Sequence, residues 1–376
     1  DVMAIIYLDY AATSRKHFDI IEKNLNILKE IYANPSSGHT LGKKNEKLFR
    51  TARERIAKSI CARPEEIIFT SGGTESNNTV FNHVLNRFDS GEIIISSIEH
   101  PSVKSSAKHL EKHGFIVHEL SVDKAGIIDL EELKQKINGK TVLISIMLAN
   151  NETGMINPLK EISEIIKNKN ILLHSDIVQA FGKVEIDVSD LNLDFASVSA
   201  HKIGALNNFG FLYAKNGEIE PFILGGGQER GLRSGTSDLL GTLVLADCVD
   251  ETLESISKLR ELKNYFLDKL EENQVEFEIN GLKDNSLPNI MNIYFKKIES
   301  QRLITYLDSL NIYISGGSAC SSGNIKGSRI ITEMYDIERA SHSVRISVGF
   351  DITKEDLDFV IDKIVRLENR LKERDN

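Results

Sequence analysis

No apolar run in this 376-residue chain reaches the roughly 18 residues that a membrane-spanning helix needs. Basic runs are missing too, and no stretch interleaves aromatic with basic residues. With 46 Lys and Arg against 55 Asp and Glu, the formal net charge is −9. A surface of that sign is not built for nucleic acid. Cysteine is scarce. Cys61, Cys248 and Cys320 stand far apart, which excludes both a disulfide framework and a CxxC-type zinc site, so no metal site is expected. Asp1-Val2-Met3 shows no charged-then-apolar leader pattern, and Asp1-Val2 read as residues appended ahead of a Met3 start. Repeats and low-complexity segments are absent. These absences together describe a cytoplasmic protein.

What is present is ordinary globular material, 41% hydrophobic and 27% charged, long enough for two domains. From about residue 65 to 213, short apolar runs alternate with helix-like stretches. The runs include Glu66-Ile67-Ile68-Phe69, Glu92 to Ile95, Phe115 to Val117, Val142 to Ile146, Ile171 to Leu173, Phe195 to Ser199 and Phe209 to Tyr213. Pro101 to His113, Leu130 to Ile137 and Leu159 to Lys167 are helix-like. Such alternation predicts an α/β fold with a mainly parallel sheet and helices on both faces. Sheets of this kind bind ligands at the carboxyl ends of their strands, where the polar clusters fall. After Gly241 a long helical run, Thr242 to about Asn273, leads into shorter strands such as Asn292 to Phe295 and Val344 to Ser347. A last helix opens on a Thr353–Asp356 cap and carries the stripe Leu357, Val360, Ile361, Ile364 and Leu371. The expected division is a large domain over residues 14–250. Residues 1–13 and 251–376 make a smaller α/β domain, with a mobile loop at about 315–328.

Several clusters carry chemistry. Val198-Ser199-Ala200-His201-Lys202 follows a strand and breaks at Gly204. Lys202 is either a solvated loop charge or a desolvated amine able to attack an aldehyde. Thr70 to Asn78, with Gly72-Gly73, opens a helix after a strand: a phosphate seat, or a plain capped turn. His100, before Pro101, is a structural histidine or a flat ring for stacking on a flat cofactor. Asp176, after Ile171 to Leu173, needs a cation, from a cofactor ring or a distant Lys or Arg. Arg345, in a strand-like run, needs an anion such as a substrate carboxylate, unless its face is exposed. The glycine-rich stretch Gly225 to Thr236 suits an anion or a subunit contact. Cys61 and Cys248 sit in apolar, helix-like surroundings and read as inert core thiols. Cys320, among Gly and Ser from Ser315 to Gly327, is a nucleophile or an incidental exposed thiol.

In this order the pieces resemble the cysteine desulfurases of the NifS/IscS type, which are fold-type I pyridoxal-phosphate enzymes with class V aminotransferase likeness. Tyr7 to Thr13, Asn34 to His39, Thr70 to Asn78, Glu99-His100, Ala149 to Gly154, Asp176 to Gln179, Ser199 to Lys202, Gly225 to Thr236, Gly317 to Cys320 and Arg345-Ile346-Ser347 carry the likeness. It implies that Lys202 condenses with the aldehyde of pyridoxal 5'-phosphate, Asp176 faces the ring nitrogen, Gln179 faces the phenolic oxygen and His100 stacks on the ring. Gly73, Thr74, Ser199 and His201 then resemble the phosphate cradle, with Thr236 reaching across from a second subunit. Asn151 and Arg345 match the groups that hold the substrate carboxylate, and Asn34 lines the same pocket. Cys320 is similar to the sulfur-accepting nucleophile. The implied activity takes sulfur from L-cysteine, giving alanine and a persulfide for iron–sulfur assembly or tRNA thiolation. A selenocysteine lyase, an aminotransferase and an idle sulfur-carrier scaffold are the alternatives. One departure stands out: relatives usually have a Gly-Pro-Lys-Gly turn after the lysine, whereas this chain has Gly204-Ala205-Leu206-Asn207-Asn208-Phe209-Gly210.

Overall fold

The computed structural model describes residues 5–316 and 327–375. Strand β1 is Ile6–Tyr7, and β2 to β8 are Ile67–Thr70, Glu92–Ser96, Ile116–Leu120, Thr141–Ser145, Leu172–Asp176, Phe195–Ser199 and Gly210–Ala214. Strands β9 to β12 are Phe277–Ile279, Ile290–Phe295, Ile312–Tyr313 and Ser343–Ser347. Among the described residues, β2 to β8 form one seven-stranded sheet in the order β2-β8-β7-β6-β5-β3-β4. The pairs from β4 through β7 are parallel. Strand β8 instead runs antiparallel to both β7 and β2. Residues 200–209 are too short a link for a helical crossover, so the chain turns back beside β7. That return carries Lys202.

The sheet is buried on both faces, as period-two residues show. Ile67 and Phe69 of β2, Ile94 of β3 and Ile144 of β5 join a core with Phe49, Ile56, Phe181 and Val244. Their neighbours Ile68, Ile93, Ile95 and Leu143 join the opposite core with Val80, Phe81, Val103 and Leu110. A third core gathers Ile6, Leu8 and Tyr10 with Phe266, Phe295, Ile346, Val360 and Ile364. The first residues belong there because β1 pairs in parallel with β11, Ile6 opposite Ile312. Helix Leu239–Glu272 runs between cores, giving Val244 and Cys248 to the first and Leu262, Phe266 and Leu270 to the third. The last helix, Lys354–Asp375, starts on the expected cap: Thr353 N–H donates to Asp356 at 2.9 Å and Asp356 N–H donates to Thr353 Oγ1 at 3.2 Å. No helix among the described residues is long and apolar enough to cross a membrane.

One buried side chain sets an acid limit on this fold. His174 lies in β6 with Nδ1 2.7 Å from Ser145 Oγ and Nε2 2.9 Å from Ser197 Oγ. Burial pushes its pKa down to about 3. Above the ordinary value of about 6.5 both folded and unfolded chains hold it neutral; below that value only the unfolded chain takes the proton. Stability is therefore lost between about pH 6.5 and 3, at roughly 1.4 kcal/mol per pH unit from this group. Chemical denaturation at pH 6.5 and 4.5 should show that slope, reduced by about one proton in His174→Asn. An unchanged slope in the variant would remove His174 from the account.

Candidate active site

The carboxyl ends of β2, β3, β6 and β7 surround a cavity of about 800 Å³, a volume suited to a cofactor-sized ligand. Lys202 enters it from the short 3-10 turn Ala200–Ile203, which follows β7 and closes on Gly204 at φ +82°. A Cβ at Gly204 would stand 2.5 Å from His17 Cδ2, so only glycine permits this stop. The Lys202 ammonium donates to the carbonyls of Ala11 and Ala12, each at 2.7 Å. Burial, then the Arg345 charge, lowers its pKa to about 8, against the opposing pull of Asp176 and Asp9. The solvated-charge alternative is thereby set aside.

Asp176 ends β6, is 6% exposed, and accepts from Val178 N–H at 3.0 Å and Asn77 Nδ2 at 3.0 Å. It forms no ion pair with any described Lys or Arg. His100 sits after β3 as the cap of helix Pro101–Glu111, its Nδ1 accepting Ser102 N–H at 3.1 Å. The neutral ring therefore carries its proton on Nε2. Burial lowers the His100 pKa, with Asp176 raising it and Lys202 lowering it. Gln179 also lines the cavity, its Nε2 donating to Ala11 O at 2.9 Å.

Opposite these groups, Gly72 and Gly73 lead into helix Gly73–Arg87. Gly72 holds φ +140°, and a Cβ on Gly73 would meet Val178 Cγ2 at 2.8 Å. Glycine thus lets the helix N-terminus come close to the turn after Asp176, with its free N–H groups and positive dipole end beside Thr74 and Ser199. Glu75 in that first turn is offset by Arg233 Nη2 at 2.9 Å. His201 lines the same wall, with Nδ1 3.0 Å from Thr13 Oγ1. Burial and then Lys202 push its pKa down to about 4. The departure after Lys202 also lies here. Asn208 takes φ +54°, a conformation that asparagine tolerates better than most residues. Asn207 and Asn208 both line the cavity.

Arg345 lies in β12 at 5% exposure, which discards the exposed-face alternative. The anion it needed is at hand: Nη2 pairs with Asp9 Oδ1 at 2.8 Å, and Nη1 donates to Asn151 O at 2.8 Å. Its Nε is buried without a partner. Asn151 and Arg345 line the cavity together.

Asn34 does not. It is an exposed turn residue whose Oδ1 accepts Ser36 N–H at 2.9 Å. Thr236 is exposed and is absent from its own chain's cavity. Cys320 lies outside the described residues. Cys61, read as a core thiol, is instead exposed at φ +57° in the turn after helix Thr40–Lys58. The apolar periodicity that suggested burial stops one residue earlier, at Ile60. Partial burial and Asp187 raise its pKa. Cys248 is buried, its thiol pushed up to about 12. Neither is poised as a nucleophile. Sequence reasoning missed Asp9, Asn77, Ser102 and the carbonyls of Ala11 and Ala12. Asp9 and Ala11 lay inside a quoted motif, but no local signal tied them to Arg345 or Lys202.

Comparisons with known proteins bear on the family of the chain. Residues 6–360 match the family model Aminotransferase class-V. The cysteine desulfurase IscS of Dictyoglomus turgidum is 38% identical over 375 residues, covering 98% of this chain and 95% of that protein. IscS of Clostridium botulinum strain Kyoto is 39% identical with the same coverage. Among solved structures, a NifS-like protein superposes with TM-score 0.89 at 33% identity, covering 97% of this chain and all of that one. SspA, solved in complex with cysteine, superposes with TM-score 0.81 at 32% identity, covering 91% and 98%. The chain belongs to the aminotransferase class-V family, and within it to the cysteine desulfurases of the NifS/IscS type.

Proposed function

We propose that this cavity holds pyridoxal 5'-phosphate on Lys202 and takes sulfur from L-cysteine, leaving alanine and a persulfide on Cys320, in a cytoplasmic homodimer. One observation carries the reading: Lys202 and His100, from the segments after β7 and β3, and Asp176, from the end of β6, converge on one cavity walled by the Gly72–Gly73 turn. Three features fit the cofactor. Asp176 is a buried carboxylate with no described cation paired to it, the Gly72–Gly73 turn brings a helix N-terminus to the cavity wall, and the Arg345 Nε is orphaned. The aminotransferase class-V family is pyridoxal-phosphate-dependent. When bound, the cofactor supplies an electron sink that acidifies the substrate Cα.

The protein's residues do the rest. Lys202, with its pKa near 8, keeps an appreciable neutral fraction at mildly alkaline pH and can carry the substrate Cα proton. Asp176 would set negative charge at the ring nitrogen, with His100 against the ring and Gln179 toward the phenolic oxygen. Gly73, Thr74, Ser199 and His201 would hold the phosphate, joined by Thr236 of the partner subunit. The exposure of Thr236, away from its own chain's cavity, supports that role. Arg345 and Asn151 hold the cysteine carboxylate, Arg345 turning to it from Asp9. Asn34, exposed and outside its own chain's cavity, would serve only across the subunit boundary. The Cys320 thiol takes the sulfur atom: its S–H and the substrate's C–S bond are replaced by an S–S bond on the enzyme and a C–H bond in alanine. The persulfide then passes to an acceptor protein, an iron–sulfur scaffold or a tRNA-thiolation enzyme. Residues 14–250 would form the cofactor domain and 1–13 with 251–376 the small domain, a division supported by the separate core around Ile6, Leu8 and Phe266.

Incubating the protein with pyridoxal phosphate, L-cysteine and a thiol reductant should yield alanine and sulfide in equal amounts. A keto acid product, or no product at all, would contradict the proposal.

A further inference from the structure

Asn77 has no task in the chemistry above, yet it sits at the centre of the site's polar contacts. It lies in the second turn of helix Gly73–Arg87 and is 1% exposed. Its Nδ2 donates to Asp176 Oδ2 at 3.0 Å and to Ser102 Oγ at 2.9 Å. Ser102 Oγ is in turn 2.7 Å from His100 Nδ1. Chemistry fixes the direction of every bond. An ionised carboxylate has no proton to give, so Nδ2 and not Oδ1 must face Asp176. Ser102 Oγ, accepting from Asn77, gives its own proton to Nδ1. Both hydrogens of the amide are committed, and Oδ1 is left buried without a partner. A buried acceptor without a donor is costly, so the gain must lie in the two donated bonds.

We infer that Asn77 is a positioning residue: its amide nitrogen yokes the Asp176 carboxylate to the Ser102 hydroxyl, and through that hydroxyl to the His100 ring. Asp176 accepts on both oxygens, from Val178 N–H and Asn77, so its plane cannot turn. Ser102 N–H already selects the His100 tautomer; the hydroxyl arm fixes the tilt of the ring. A single side chain thereby sets the angle between the group facing the cofactor's edge and the group facing its plane. This assignment rests on the cofactor reading for what those two groups face.

Three variants separate positioning from packing. Asn77→Ala removes both arms and leaves the helix intact, since alanine is the best helix former. Asn77→Asp keeps the size but sets a second carboxylate against Asp176, where the two must share a proton. Ser102→Ala cuts the His100 arm alone. The readouts are the dissociation constant of pyridoxal phosphate, the visible circular dichroism of the bound cofactor, and the thermal midpoint. Asn77→Ala should bind the cofactor about tenfold more weakly and lose visible dichroism, with its thermal midpoint nearly unchanged. Asn77→Asp should show the same loss at pH 8 and recover toward wild type at pH 6. Ser102→Ala should lose dichroism with a smaller loss of affinity. A wild-type dissociation constant and dichroism in both Asn77 variants would overturn the inference. Asp176→Asn tells the two failures apart. If it loses the cofactor while the Asn77 variants do not, only the yoke is wrong. If it also binds as wild type, the cofactor reading itself fails.

Discussion

Lys202→Ala is expected to lower turnover of cysteine by at least about a thousandfold, the scale on which a positioned acid–base group contributes. In the proposed function the side chain has two jobs, holding the cofactor and moving the Cα proton, and alanine does neither. The geometry supports so large an effect. Described neighbours that could act as a base in its place are His100, whose proton-free Nδ1 is taken up by Ser102, and His201, whose Nδ1 contacts Thr13. The amine is desolvated and lies beside the Arg345 charge, so its pKa falls to about 8. Lys202→Arg should do no better, because a guanidinium stays protonated. The check is steady-state sulfide release; a variant keeping more than a few per cent of wild-type rate would place the base elsewhere.

Cys320→Ala is expected to release no sulfide while still binding L-cysteine. In the proposed function the thiol acts after binding, as the acceptor of the sulfur atom, so its removal should leave the substrate-induced change in cofactor absorbance in place. The other thiols offer no substitute. Cys61 lies in a turn after helix Thr40–Lys58 and away from the cavity lining, and Cys248 is buried with its pKa pushed up to about 12. Single-turnover sulfide release and absorbance spectra, measured together, test the point. Full turnover in the variant would mean that another nucleophile takes the sulfur; loss of the spectral change would mean that Cys320 serves binding instead.

The layout of the large sheet could be read from alternating apolar runs and helices, because strands buried on both faces announce themselves as continuous Val, Ile and Leu. Lys202 and Asp176 were legible for the same reason: each ends such a run with a charge that burial makes expensive. Long-range pairing was not. Nothing local marks β1 as the partner of β11, since Ile6 pairs with Ile312 near the other end of the chain. The Asp9–Arg345 pair and the Asn77–Asp176 bond were hidden likewise, joining residues that only the folded chain brings together. Asn34 stands outside its own chain's cavity. Its motif suggested a pocket residue, but asparagine is also a good turn former, and in this chain its side chain closes the local turn with Ser36.

The central claim is that the Lys202 amine joins a carbonyl-bearing cofactor in this cavity. Borohydride reduction of the protein loaded with pyridoxal phosphate, followed by peptide mass spectrometry, tests it most directly. The account predicts one stable adduct, on the peptide containing Lys202, and none in Lys202→Ala. An adduct on Lys183 or Lys16 instead, or no adduct despite cofactor binding, would contradict it.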